Sequence, residues 1–397
     1  ASNNTALGAT SLSGNTTGTE NTALGAFASA SSTTASNCTS VGYAALNALT
    51  TGSKNTAVGS HSLLQNTTAT NNTAVGYNAA TALTTGGYNV ALGDSALLAS
   101  TTGVNNVAIG YQTLNNSTDK FANVAIGYRA CKNNNSSYGV FIGDRAASNG
   151  IVGGEKNVAV GHYSLFALTT GAYNTAIGAN TLDDNTTASN NTAVGYNAMA
   201  ANTTGDLNTA IGVNAMANTT NNDRNVAVGY AALQNISDGQ GDTYHTALGY
   251  GTGNAIQTAT QFTGVGANAG LSLTTGNGNT FMGYNAGSST TTGAWNTAIG
   301  RACFSSNTTG GTNVVVGTNA LQNNTGGNNN TALGYQAMLT CTTGHTNVAI
   351  GENAAYALTT SYYSTMVGAH AGDSVTDAPS CAFFGHQAGE KVTTGSG

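Results

Sequence analysis

Charge is scarce in this chain. Of 397 residues, 9 are Lys or Arg and 15 are Asp or Glu, so charged side chains make up 6%, against roughly 25% in ordinary soluble domains. With a net charge of -6, nothing electrostatic favours nucleic acid or an anionic lipid surface as a partner. Proline is almost missing too: Pro379 stands alone beside 54 glycines, which excludes collagen and Pro-rich linkers. No apolar run approaches 18 residues, so no membrane insertion is expected in this segment, and no leader pattern is read at Ala1. Disorder is excluded from the other side, because 40% of the residues are hydrophobic and disordered chains combine low hydrophobicity with high charge. What is abundant is Asn, Thr, Gly and Ala, the composition of a repeat array.

The repeat is legible directly. The phrase Asn-Thr-Ala-Val-Gly and its variants place an anchor glycine at Gly8, Gly25, Gly42, Gly59, Gly76, Gly93, Gly110 and Gly127, seventeen residues apart each time. The series runs on to Gly385, giving 23 copies, with steps of 16 into Gly143, 18 into Gly161 and 20 into Gly249. The residue before the anchor is apolar in all 23 copies, the second before it is Ala in 16, and the fourth before it is Asn in 17. This alternation predicts a strand of four or five residues, with Asn and Ala on one side and Thr/Val and Val/Ile/Leu on the other. A small residue three after the anchor (Ala79, Ala96, Ala130, Ala198) suggests a second short strand or extended corner. The following Thr84-Thr85-Gly86 and Thr203-Thr204-Gly205 read as turns whose glycine takes positive φ.

Seventeen residues are too few for a helical repeat, which needs about 33, but suffice for one coil of a β-solenoid. The expected fold is therefore all-β: a parallel β-solenoid of about 23 coils forming one continuous array over residues 1–397, with irregular coils at 127–161 and 229–249. At roughly 4.8 Å per coil the rod would be on the order of 110 Å long. Ala, Gly and Asn should fill a thin interior, with the Asn side chains hydrogen-bonded up and down a ladder. The branched apolar residues then face outward: Val58, Val75, Leu92, Ile109, Ile126, Ile177, Val194, Ile211, Val228, Ile299, Val316 and Ile350. Such a stripe must be covered, most simply by the same stripe on identical chains, with three chains as the closed solution. Tyr follows the anchor in nine copies, among them Tyr43, Tyr77 and Tyr111, which suits an oligomer rim. The alternative is a wider monomeric solenoid whose own core takes Leu46, Leu97, Leu114 and Leu233.

The segment Asn71-Asn72-Thr73-Ala74-Val75-Gly76-Tyr77-Asn78-Ala79 resembles the head repeat of YadA-like trimeric autotransporter adhesins. The longer unit is similar to the repeat arrays of phage tail fibres and tail-fibre-like surface proteins. The resemblance covers essentially the whole chain, although its period is longer than that of the adhesin heads. It implies a left-handed β-roll, a homotrimer, and contact with a cell-surface glycan or receptor from an extracellular, cell-surface or virion position. An anchor for such a fibre is expected outside these residues.

No catalytic constellation stands out, and no cofactor is called for. Cys38, Cys131, Cys303, Cys341 and Cys381 lie in coils that are never neighbours, too far apart to bridge. Cys38 and Cys381 replace the ladder Asn and read as packed small residues. His370 and His386 fall in adjacent coils near Cys381, but the spacing matches no zinc signature. Residues 119–156 hold eight of the 24 charges and both of the first irregular steps. Lys132, Asp144, Arg145, Glu155 and Lys156 there, and Asp238 and Asp242 at the 20-residue step, are the candidate recognition loops; the two aspartates are also weak Ca²⁺ candidates. The sequence thus favours a structural fibre over an enzyme, with an end-to-end filament as the alternative. An ice-binding Thr-Thr ladder is the distant third.

Overall fold

The computed structural model of the chain describes residues 1–237 and 241–395. Among them lie twenty-three strands of three residues each, from β1 (Thr5–Leu7) to β23 (Ala382–Phe384). No helix of the described residues is long and apolar enough to cross a membrane. The chain forms two compact units, Ala1–Val194 and Gly195–Gly397. The first carries β1 to β12 (Thr192–Val194), the second β13 (Thr209–Ile211) to β23. Within each unit every strand pairs in parallel with its copy one coil on, as in Thr56↔Thr73, Ala57↔Ala74 and Val58↔Val75, or Thr297↔Val314 and Ile299↔Val316. This is a parallel β-solenoid with a 17-residue coil. Eleven strand spacings make the first unit on the order of 50 Å long.

The irregular steps do not disturb the sheet. β8 (Val124–Ile126), β9 (Val140–Ile142) and β10 (Val158–Val160) keep register through steps of 16 and 18 residues, with Val124↔Val140 and Val140↔Val158 paired. Across the 20-residue step Val226 still pairs with Thr246. A one-residue slip would turn every inward side chain outward, so gained and lost residues are confined to loops.

The strands are shorter than the four or five residues expected, because the backbone swings away at the anchor glycine, whose φ lies between +120° and +143° in every coil. Nor do the described residues form a second strand in the coil. The residues two and four after the anchor are left-handed instead, as at Ala44 (φ 55°) and Leu46 (φ 53°). This geometry turns two consecutive side chains inward: Ala45 and Leu46 are both fully buried, as are Ala96 and Leu97. The leucines of the alternative reading, Leu46, Leu97, Leu114 and Leu233, are therefore the solenoid's own core. A left-handed backbone costs a non-glycine residue about 1–2 kcal/mol. Asn tolerates it best and occupies the first of the two positions at Asn78, Asn180, Asn197 and Asn214. At the second position Leu has no such tolerance, and its burial, about 1.5–3 kcal/mol, offsets the strain.

The interior is consequently wider than one lined by small residues alone. Leu49, Leu83, Leu168, Phe141, Phe262, Phe281 and Phe304 are all fully buried. Volume is exchanged across it. Where glycine replaces the inward Leu at Gly287, Gly372 and Gly389, a strand residue expands from Ala into the space, while beside Gly253 and Gly270 it is Phe262 at the ladder position that fills it. A Cβ at Gly287 would sit 2.6 Å from the Phe281 ring, one at Gly372 2.5 Å from the Met366 sulfur, and one at Gly389 2.5 Å from Phe383. Cross-section is conserved by pairs of positions rather than by single ones, as close packing demands.

The Asn ladder forms as expected. The backbone N–H groups of Asn72, Asn89, Asn106 and Asn123 each donate to the Oδ1 of the Asn one coil earlier, at 2.9–3.1 Å. Each side-chain amide donates in turn to a carbonyl in the next coil, as Asn89 does to Gly103 at 2.8 Å. The buried Asn of the ladder is thus satisfied. At Cys38, Ser364 and Cys381 the substitute for Asn copies this donor. Cys38 Sγ reaches the Gly52 carbonyl at 3.5 Å, and Ser364 Oγ reaches that of Ala378 at 2.8 Å.

The Thr-Thr-Gly segment turns the chain without the expected positive φ, except at the last one, Gly395 (φ +149°). Gly86 is required because a Cβ there would lie 2.0 Å from the Gly103 carbonyl oxygen of the next coil. The first Thr of the pair is part of the scaffold: Thr50 and Thr84 donate their hydroxyls to the carbonyls of Thr67 and Thr101, at 2.9 and 3.0 Å.

Candidate recognition site

Two surfaces of the coil bear function-relevant groups, one from the strand alternation and one from the loops. The first is the outward side of the sheet. Ala57, Ala74 and Ala108 are fully buried while their flanking residues face out. In the first unit Val58, Val75, Leu92, Ile109, Ile126, Ile177 and Val194 form one row of half-buried or exposed side chains. Ile211, Val228, Ile299, Val316 and Ile350 do so in the second. Val75 is 38% exposed, Ile177 41% and Ile299 38%. The tyrosines after the anchor stand exposed beside this row, stacked coil on coil at Tyr111–Tyr128 and Tyr230–Tyr250, with ring centroids 5.5 and 5.1 Å apart.

The second surface lies on the coils of irregular length. Between Ser148 and Val152 the longer loop leaves Ile151 67% exposed. A pocket of about 360 Å³ opens there, lined by Asn116, Thr118, Asn133, Asn134, Asn135 and Ile151. Asn133 also lines a second pocket of about 260 Å³ with Arg129, Lys132, Arg145, Ser148, Asn149 and Phe166. Register builds the latter from three consecutive coils: Arg129 and Arg145 stand one above the other two residues after their anchors, and Lys132, Ser148 and Phe166 stack five after. Arg129 donates from Nε to Gln112 Oε1 at 3.0 Å. Arg145 donates to the Tyr163 hydroxyl at 2.6 Å and lies 3.8 Å from Asp144. Both guanidinium groups lie over Tyr128, at 5.1 and 5.4 Å from the ring centre. Asp144 is shared with His162, 3.3 Å away. In the second unit, Asn218, Asn235, Ser237, Ala255 and Gln257 line a pocket of about 370 Å³ beside the 20-residue step.

The candidate loop residues are thus divided. Lys132 and Arg145 meet in one pocket with Asp144 at its edge. Lys156 lies over Tyr173 instead, 5.1 Å from the ring centre, and Glu155 is exposed on the same loop. Asp238 lies outside the described residues. Asp242 is committed within the chain, since its Oδ1 pairs with Arg224 and its Oδ2 accepts from Tyr244 at 2.9 Å. Among the described residues no three His, Cys, Asp or Glu side chains come together as a metal site. His370 bonds Asp373 at 3.1 Å and meets His386 edge-on. Sequence reasoning missed Asn116, Asn133, Asn149 and Phe166 as pocket residues. The signal was available in the columns five and six residues after each anchor, which stack on the surface.

Burial shifts the enclosed thiols, one carboxyl and one imidazole toward their neutral forms. Burial raises the thiols of Cys131, Cys303 and Cys341, the latter two to about 12 and about 11, so they are poor nucleophiles. All five cysteines are free and buried. Asp183 is pushed up to about 6 by burial, reinforced by repulsion from Asp184 and opposed by His162. His245 stands in the Asn ladder and imitates it. Its N–H donates to Asn225 Oδ1 at 2.9 Å, and its Nδ1 accepts from the Phe262 N–H at 3.1 Å. That bond fixes the proton on Nε2. Burial drives the ring down to about 4, opposed by the Ala259 carbonyl, which Nε2 faces outside hydrogen-bond geometry.

No protein-family model and no curated protein matches the chain.

Proposed function

We propose that the chain is a structural fibre subunit, without catalytic activity or cofactor, whose outward sheet face is covered by copies of itself. The outward row carries this reading. It repeats in every coil, and the two outward positions hold only Thr, Val, Ala and larger apolar residues in all 23 copies. Two such faces therefore meet with no like charges opposed. Each unit offers on the order of 400 Å² of this surface, from a length near 50 Å and two side-chain columns. A standard interface takes about 800 Å² from each side, so each unit by itself supplies about half of one. Three chains about a rotation axis close the contact, and the exposed tyrosines fall at its rim. The repeat's resemblance to adhesin heads and tail fibres agrees with a projecting shaft at a cell or virion surface. Because the first Thr of most Thr-Thr pairs, such as Thr50 and Thr84, gives its hydroxyl to the next coil, we read that ladder as scaffold rather than an ice-binding array.

Lysine in the row tests the proposal. Sedimentation equilibrium of the wild-type chain is expected to return a multiple of 39.3 kDa. The triple variant Val75→Lys, Ile109→Lys, Ile126→Lys is expected to fall to the single-chain mass with its far-UV circular dichroism unchanged. A wild-type chain that sediments at 39.3 kDa at micromolar concentration overturns it, and masses that climb without limit favour end-to-end filaments over a closed trimer.

A further inference from the structure

The cationic pocket between the irregular coils is the most unusual chemistry on this molecule. Nine cations serve 397 residues, yet three of them, Arg129, Lys132 and Arg145, line one pocket of about 260 Å³. All three are half-buried. Of these three, only Arg145 has an ion pair among the described residues, with Asp144 at 3.8 Å, so the pocket keeps a positive excess. Its remaining walls are the Phe166 ring, the amides of Asn133 and Asn149, and the Ser148 hydroxyl. Through Asn133 it joins an uncharged pocket of about 360 Å³ walled by Asn116, Thr118, Asn134 and Asn135.

From this juxtaposition we infer that the two joined pockets bind an acidic saccharide: the sulfate or carboxylate of one ring among Arg129, Lys132 and Arg145, and a neighbouring neutral ring against the asparagines. Each part of the surface matches a part of that ligand. A guanidinium fork pairs a carboxylate or sulfate through two parallel hydrogen bonds. The Tyr128 ring under both arginines holds them in place by cation–π attraction. An aromatic face such as Phe166 takes the apolar CH side of a sugar ring. Primary amides present donor and acceptor together, as vicinal hydroxyls require. The smaller pocket lies below the roughly 300–1,000 Å³ of drug-sized sites, which suits one ring, and the joined pockets have room for two. This site does not depend on the fibre reading, since all its residues lie within one unit.

The test uses the full chain and titration calorimetry at low ionic strength, with four probes. They are a disaccharide of a uronic acid and a sulfated hexosamine, its desulfated form, neutral lactose, and sodium sulfate. The acidic disaccharides are expected to bind and lactose to bind at least tenfold more weakly. Raising the salt should weaken the acidic pair selectively. Arg129→Gln with Lys132→Gln is expected to weaken the acidic disaccharides at least tenfold. Phe166→Ala is expected to weaken the disaccharides while leaving sulfate unaffected. Lys132 has no ion pair or side-chain hydrogen bond among the described residues, so Lys132→Gln alone, expected to cost severalfold, remains informative if the double variant misfolds. Equal binding of lactose, sulfate binding as tight as the disaccharide, unchanged affinity in the variants, or no binding at all overturns the assignment.

Discussion

Replacing Gly76 by Ala is expected to destabilise the first unit by about 4 kcal/mol, at the upper end of single-residue effects. Two causes act together. Gly76 has φ +140°, a conformation that costs an L-residue about 1–3 kcal/mol. Its new Cβ would also lie 2.5 Å from the carbonyl oxygen and 2.6 Å from the carbonyl carbon of Gly93, in the next coil. Neither atom can swing aside, because both are backbone. Relief requires prising two coils apart, which stretches the 2.8 Å bond from the Gly93 N–H to the Val75 carbonyl. Gly153→Ala is the control. Its φ is not left-handed and the nearest atom to its Cβ would be 3.4 Å away, so a change within about 1 kcal/mol is expected. Urea denaturation of both variants decides the matter: equal midpoints would mean that the coils are not stacked as closely as the sheet requires.

The second large effect is an acid lability localised at His245. In the fold the ring is held at about 4, whereas an unfolded histidine titrates near 6.5. Above pH 6.5 both states are neutral and nothing is lost. As pH falls below 6.5 the unfolded chain takes up a proton that the folded chain refuses, so stability declines. The loss levels off once the folded ring also titrates, near pH 4. Integrated over that window it is about 3 kcal/mol. The mechanism is geometric: a proton on Nδ1 faces the Phe262 N–H that Nδ1 accepts at neutral pH, and the ladder is broken there. Asp183, in the other unit, works in the opposite direction. Its carboxyl is raised to about 6, so its protonation favours the fold as pH drops. The comparison that isolates His245 is therefore His245→Asn, which installs the residue found at this place in 17 of the 23 coils. Wild type and variant are expected to match at pH 7 and to separate by about 3 kcal/mol at pH 4. Parallel stability curves across that range would show that the imidazole is not buried in the ladder.

The legible and illegible parts of this structure differ for physical reasons. Strand alternation is written plainly: an Ala at one phase and a Val or Ile at the next leave a single choice for which side faces in, and Ala57 and Val58 obey it. The Asn ladder is equally legible, because an Asn recurring on the inward phase needs its amide satisfied by the coils above and below. The stretch after the anchor glycine is not legible in this way. Left-handed backbone at Leu46 or Leu97 runs against every local preference of leucine, and only closure of the coil and burial enforce it. Local pattern therefore points to a second strand there, and shows the leucine core only as an alternative. The cationic pocket is half legible. Lys132 and Arg145 stand out because charge is so rare here. Phe166 and Asn149, however, reach them only through the register of three coils, two of irregular length.

The fold reduces to one physical statement: seventeen residues close one coil upon a buried column of hydrogen-bonded amides. Amide hydrogen exchange, resolved along the full chain, measures this most directly. The slowest-exchanging positions are expected to recur every seventeen residues, at Asn72, Asn89 and Asn106, whose N–H groups donate to buried Oδ1 atoms, and at the adjoining Thr73 and Val90. Fast exchange is expected between them, at the exposed residues just after the anchor such as Tyr77 and Tyr111, whose N–H groups donate to nothing among the described residues. Protection without a seventeen-residue period, or ladder amides exchanging as fast as those of the exposed tyrosines, would contradict it.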